Sequence, residues 1–230
     1  GVEKQTSYIS SHSHGTICAG IIKKMTESAK VYSLKILDSI NLSASTDKLE
    51  KAFEWCLNND IDIINMSLGS TNSQDFIVIK RWIRCLGKNG IIVVAAINNN
   101  NTYTLPASLS EVIGVSSEEK LCDFKFINDS IIGIDVLARS NYHIQLNTEE
   151  SITTPFCNSF AAPAVTGKIC ELVSKDYDSM ENGDKNFAIN IKEKLYMIDK
   201  ILKIDSRENM VKFELNLKHL NINNIKSNKS

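Results

Sequence analysis

The spacing of apolar residues changes period several times between residues 31 and 137, and each change predicts an element. Val31 to Leu37 is dense in branched and apolar side chains and ends at Asp38, which predicts a buried strand. From Thr46 the apolar positions fall at Leu49, Ala52, Phe53, Cys56 and Leu57, a helical spacing behind a Ser45/Thr46 cap and closed by Asn58-Asn59. Ile61 to Met66 predicts a short strand. Phe76, Ile79, Ile83 and Leu86 mark a second helix that stops near Gly87 and Gly90, and Ile91 to Ala96 returns to strand. Val112 to Val115 and Ile134 to Leu137 predict further strands. Such β-α-β-α-β alternation implies an α/β fold with a mostly parallel sheet, helices on both faces and right-handed crossovers. Beyond about residue 175 the pattern loosens: Ile191 to Ile201 fits a helix, Val211 to Leu217 an exposed strand, and the Asn/Lys/Ser-rich end from Asn221 a frayed tail.

Composition narrows the functional classes. A chain of 230 residues with 43% apolar and 23% charged residues can bury a sizeable core, and we expect one domain over 1–205 followed by a strand and tail over 206–230. The net charge of −1 offers no field for a polyanion, so nucleic acid is not an expected partner. No apolar run approaches the roughly 18 residues of a membrane span. The six cysteines include no CxxC pair, so neither a zinc site nor any other metal site is expected; Cys56 and Cys85 fall on apolar helix faces as buried thiols. Residues 1–30 lack the pattern of a secretory signal, which slightly favours the cytoplasm, while Gly1 in place of Met suggests that the chain begins downstream of its gene's start. Nothing in the sequence speaks to oligomeric state.

In open parallel sheets chemistry collects beyond the carboxyl ends of the strands, here the loops from Asp38, Ser67 and Ile97. Three segments carry suitable groups. His14 opens a helix whose small residues Ala19 and Gly20 permit close packing, and a neutral imidazole so held can act as a general base; a capping or core His is the plainer alternative. Ser159 precedes a run of Ala, Val and Gly, which sets its hydroxyl at a helix N-terminus, where an N–H and the helix dipole stabilise an oxyanion; an ordinary N-cap is the alternative. The strand Val93 to Ala96 delivers Asn98 and Asn99 into the loop edge, where a carboxamide could complete an oxyanion hole, or where the four-Asn tract is simply a flexible loop.

Taken together, His14-Gly15-Thr16 with Ala19-Gly20, Ile64 to Gly69, Val93 to Ala96, Leu105-Pro106-Ala107 and Ser159-Phe160-Ala161-Ala162-Pro163 resemble the subtilisin-like serine peptidases, the subtilases of peptidase family S8. The resemblance is collinear from about residue 12 to residue 170. It implies a subtilisin-like three-layer fold and a serine endopeptidase acting on peptide or protein substrates without a cofactor. In it His14 is the general base, Ser159 the nucleophile and Asn99 the oxyanion donor, and Ser67, Leu68 and Gly69 line the substrate cleft. The calcium-binding loop common in the family has no room between Gly20 and Val31.

The departures suggest alternatives. The family's Asp-Ser/Thr-Gly occurs nowhere, and the sole acid among residues 1–13 is Glu3, so the orienting carboxylate is absent from this chain; an in-frame Asp-Ser/Thr-Gly upstream of His14 would favour the enzyme. Cys157-Asn158 stands where the family has Gly-Thr, and Asn98 where it has Gly, which would restrict the backbone and lower turnover. A pseudopeptidase that binds peptides is therefore the alternative function, with a metal-dependent hydrolase built on His12 and His14 a remote third. Cys18, one helical turn after His14, is either a thiol poised to disturb the base or a small buried residue beneath it.

Overall fold

A computed structural model describes residues 14–37, 45–121, 124–127, 132–147 and 149–176. The core is a five-stranded sheet: β1 (Ile63–Met66), β2 (Ile92–Ala96), β3 (Ile113–Ser117), β4 (Phe124–Phe126) and β5 (Val136–Ala138), in the order β1-β2-β3-β5-β4. All neighbours run parallel except β4, which lies antiparallel to β5 at one edge. Helices α1 (His14–Met25) and α4 (Asn158–Asp176) lie on one face, with a small antiparallel hairpin, β6 (His143–Gln145) and β7 (Ser151–Thr153), packed against α1. Helices α2 (Thr46–Leu57) and α3 (Phe76–Lys88) cover the other face. This is the expected three-layer α/β architecture.

Strand β2 shows why the layers form. Ile92, Val94 and Ala96 face α4, while Val93, Ala95 and Ile97 face α2 and α3, so a run apolar at every position is buried on both sides. The α2 face of Leu49, Phe53 and Cys56 and the α3 face of Ile79, Ile83 and Leu86 complete the second core. Ser45 caps α2 as anticipated, its side chain accepting the Lys48 N–H. On the opposite face small residues decide the geometry. A Cβ at Gly167 would lie 2.5 Å from Met25 Cβ and 3.1 Å from Ile22 O, so only glycine lets α4 and α1 approach this closely. Gly20 does the same for α1 against Ile144 of β6, at 2.7 Å.

Three expectations are corrected. Val31 to Leu37 forms no strand; Tyr32 and Leu34 are 49% and 39% exposed, Tyr32 meets Trp55 in a tilted ring contact, and Ile36 packs against the α2/α3 core. Local composition reports fitness for a sheet, whereas a strand also needs a neighbour's backbone, and no described strand lies beyond β1. The fourth parallel strand begins two residues later than expected, at Val136; Asp135 just before it donates its N–H to Gly114 O at 2.8 Å, and the Gly114 N–H bonds to the Asp135 carboxylate, also at 2.8 Å, where a parallel ladder would use a backbone carbonyl. Cys85 is half-buried rather than buried. The three-residue strands β4, β6 and β7 were too short to show a period. The elements expected at 191–201 and 211–217, the tail and the boundary at 205/206 lie outside the described residues. No helix among the described residues is long and apolar enough to cross a membrane.

Candidate active site

Ser159 is the second residue of α4, directly beyond the carboxyl ends of β2 and β3. Its N–H therefore has no acceptor one turn earlier within the helix; it lies at the positive end of the dipole and reaches toward the Cys157 sulfur. Its carbonyl is unusual for a different reason. The group that should donate to it is the N–H of residue 163, and residue 163 is proline. The orphaned carbonyl is instead satisfied by Ser67 Oγ, which donates at 2.7 Å, with the Cys18 thiol at 3.7 Å. Ser67 Oγ in turn accepts from Asn65 Nδ2 at 3.1 Å, and Asn65 Oδ1 lies 3.0 Å from Thr166 Oγ1. The Ser-x-x-x-Pro spacing thus binds the end of β1 to the start of α4.

The Asn tract folds into a hydrogen-bonded turn. Asn98 Oδ1 accepts the Asn100 N–H at 2.7 Å, the Asn101 N–H reaches Asn98 O at 2.9 Å, and Asn101 takes a φ of 53°. Thr104 Oγ1 accepts the Asn98 N–H at 3.1 Å and donates to Thr102 O at 2.7 Å. Asn98 is therefore occupied within the turn. Asn99 differs: its Oδ1 accepts the Asn158 N–H at 3.0 Å, which aligns its carboxamide with the start of α4 and turns its NH₂ away from that bond. Neither Asn98 nor Cys157 has a positive φ, so the expected cost of losing glycine there does not arise. Cys157 is anchored by its N–H to Ser140 Oγ at 3.2 Å.

His14 is the first residue of α1. Its ring stacks on Phe160, centroids 5.0 Å apart and planes at 21°, so the imidazole lies against the residue that follows Ser159. Desolvation lowers its pKa below the ordinary imidazole value even though its outer face is exposed. Among the described residues the partner of Nδ1 is the Cys18 sulfur, at 3.5 Å, and not a carboxylate. Burial pushes the Cys18 thiol up to about 11 against the opposing pull of its hydrogen bond to Ser67, so it is neutral at physiological pH.

Ser67, Cys18, His14 and Ser159 thus form one contiguous cluster, and Asn99 joins it through Asn158. Leu68 and Gly69 stand apart from it. Leu68 packs on the α2/α3 core, and Gly69 fits under the 104–105 segment, where a Cβ would lie 2.6 Å from Thr104 Cγ2. Residues 12 and 13 lie outside the described residues, and among those described no group of three metal-ligating side chains converges. Sequence reasoning missed the hydroxyl of Ser67 as a carbonyl partner, and it missed Asn158 as a structural residue. Proline four positions after the serine signalled the first; an Asn opening a helix beside two strand ends was the only hint of the second.

Comparison with known proteins agrees with the geometry. The family model of the subtilase family matches residues 2–206. A thermostable alkaline protease of Halalkalibacterium halodurans is 27% identical over 209 residues, covering 82% of this chain and 54% of that protein. The minor extracellular protease Epr of Bacillus subtilis is 30% identical over 145 residues, 56% of this chain and 22% of that protein. The chain thus spans about half the length of the first relative and less of the second. A crystal structure of a cold-adapted subtilisin-like serine proteinase shares the fold with a TM-score of 0.56 at 22% identity, over 71% of this chain and 62% of that one.

Proposed function

Because this chain belongs to the subtilase family, we propose that it is a serine peptidase cleaving peptide bonds in peptide or protein substrates, with Ser159 as nucleophile, His14 as general base and Asn99 as oxyanion donor. Ser159 Oγ attacks the scissile carbonyl carbon while its proton passes to the imidazole. The carbonyl oxygen becomes an oxyanion between the Ser159 N–H and Asn99 Nδ2. Collapse expels the amine, which takes the proton from His14, and water then releases the acyl group by the same route in reverse. The lowered pKa of His14 keeps the base neutral at physiological pH. Ser67, with Leu68 and Gly69 following it, is proposed to border the cleft for extended substrate.

The observation that carries this reading is the Asn99 Oδ1 to Asn158 N–H bond, since it ties the donor's orientation to the helix that bears the nucleophile. Labelling with a fluorophosphonate probe tests it. The folded chain should be labelled and Ser159→Ala should not be; labelling that survives Ser159→Ala removes Ser159 as the nucleophile. Labelling confined to a version extended at the N-terminus would show that the upstream segment completes the site, and a folded extended version that takes up no probe would instead favour a peptide-binding pseudopeptidase.

A further inference from the structure

Asn158 does more than start the helix. Its side chain is 4% exposed, and every hydrogen-bonding position of its carboxamide is in use. Nδ2 donates to Ile97 O at 3.1 Å and Asn98 O at 3.0 Å, at the end of β2. Oδ1 accepts from Ser117 N–H and Ser117 Oγ, both at 2.7 Å, with Ser116 Oγ at 3.3 Å, at the end of β3. Its backbone N–H donates to Asn99 Oδ1. One residue therefore joins two strand ends, the helix bearing Ser159 and the carboxamide proposed as oxyanion donor.

We infer that Asn158 is a positioning residue that holds Asn99 and Ser159 in register by clamping the 97–98 carbonyls to β3. The inference rests on the roles proposed for Ser159 and Asn99 and extends them to a residue that touches no reacting atom. The chemistry requires an amide here. The threonine that stands at this point in the family pattern carries a single hydroxyl donor and could not serve both carbonyls. An aspartate keeps the shape and the Ser117 bonds but sets a carboxylate oxygen against Ile97 O and Asn98 O, driving the Asn98-Asn99 turn away.

The test is a double-mutant cycle on Asn158→Asp and Asn99→Ala, reading the fluorophosphonate labelling rate per folded molecule together with the side-chain amide resonances of Asn99. Asn158→Asp alone should slow labelling by about 10²-fold, the scale of a lost oxyanion donor, and should add little in the Asn99→Ala background. The Asn99 amide resonances should shift in Asn158→Asp whether or not the chain reacts with the probe. Losses that multiply across the cycle, or Asn99 resonances that stay in place, would overturn the inference. Asn158→Ser, which cuts the clamp without adding a charge, carries the same test should the Asp variant not fold. Failure of the unaltered chain to label would count against the peptidase reading alone, since the resonances still report on the clamp.

Discussion

The two halves of the candidate site are held in different ways. The nucleophile half is fastened by hydrogen bonds that tie the start of α4 to residues at three strand ends: Ser67 on Ser159 O, Asn158 on Ile97, Asn98 and Ser117, and Asn99 on the Asn158 N–H. The base half is tied by weaker sulfur contacts: the Cys18 thiol lies 3.5 Å from His14 Nδ1, 3.5 Å from Ser67 Oγ and 3.7 Å from Ser159 O. His14 is placed by the packing of α1 on α4, a stacked ring and a thiol one turn away. Directional bonds to a buried sheet fix position within tenths of an ångström, whereas packing fixes it only as well as the helices fit. The nucleophile and oxyanion groups are therefore built into the fold, and the base depends on a helix contact that one side chain can disturb.

Breaking that contact should have the largest effect. Gly167→Leu places a Cβ at the position that lies 2.5 Å from Met25 Cβ and 3.1 Å from Ile22 O, and must push α1 off α4. We expect destabilisation of about 1–3 kcal/mol, measured by denaturant unfolding, with probe labelling reduced in the molecules that remain folded. Unchanged stability would show that α1 has slack, and that the base is not positioned by close packing.

The next test probes the nucleophile half. Ser67→Ala removes the donor to Ser159 O and should cost about 1–2 kcal/mol, because the carbonyl of residue 159 has no helical N–H to fall back on. Pro163→Ala supplies that N–H. In the Pro163→Ala background the cost of Ser67→Ala should shrink, and additive costs would show that the proline and the hydroxyl are unrelated.

The same contrast explains what could be read in advance. Helices α2 and α3 were legible because apolar residues recur at helical spacing on the one face each buries, and strand β2 because a run apolar at every position is buried on both sides. That His14 opens a helix, that Ser159 lies in the first turn of another and that Asn99 follows a strand was legible from the residue pattern. Val31 to Leu37 was misread because strand formation depends on a partner that local pattern does not contain. Asn158 stood out in sequence only as a departure from the family's threonine, since its meaning lies in Ile97, Asn98, Ser116 and Ser117, distant in sequence and identified only by the fold. Asn98 and Asn99 were adjacent, chemically identical candidates, and the turn distinguishes them: the Asn98 side chain closes it, whereas the Asn99 side chain reaches out of it to the Asn158 N–H.

The smallest effect concerns the base itself. In the proposed mechanism labelling of Ser159 requires neutral His14, and desolvation lowers the pKa of that imidazole, so protonation that blocks it sets in only at lower pH. The acid limb of the labelling rate should therefore have its midpoint below the ordinary imidazole value of about 6.5. Phe160, 2% exposed and stacked on the ring, is one source of the desolvation. Phe160→Leu keeps an apolar core residue but removes the flat ring, admits water to one face of the imidazole, and should move the midpoint up toward 6.5 by a fraction of a unit. A midpoint already at or above 6.5 in the unaltered chain would mean that a charged partner, and not burial, governs His14. In that case the base half would be held by electrostatics, and the contrast between the two halves would have to be redrawn.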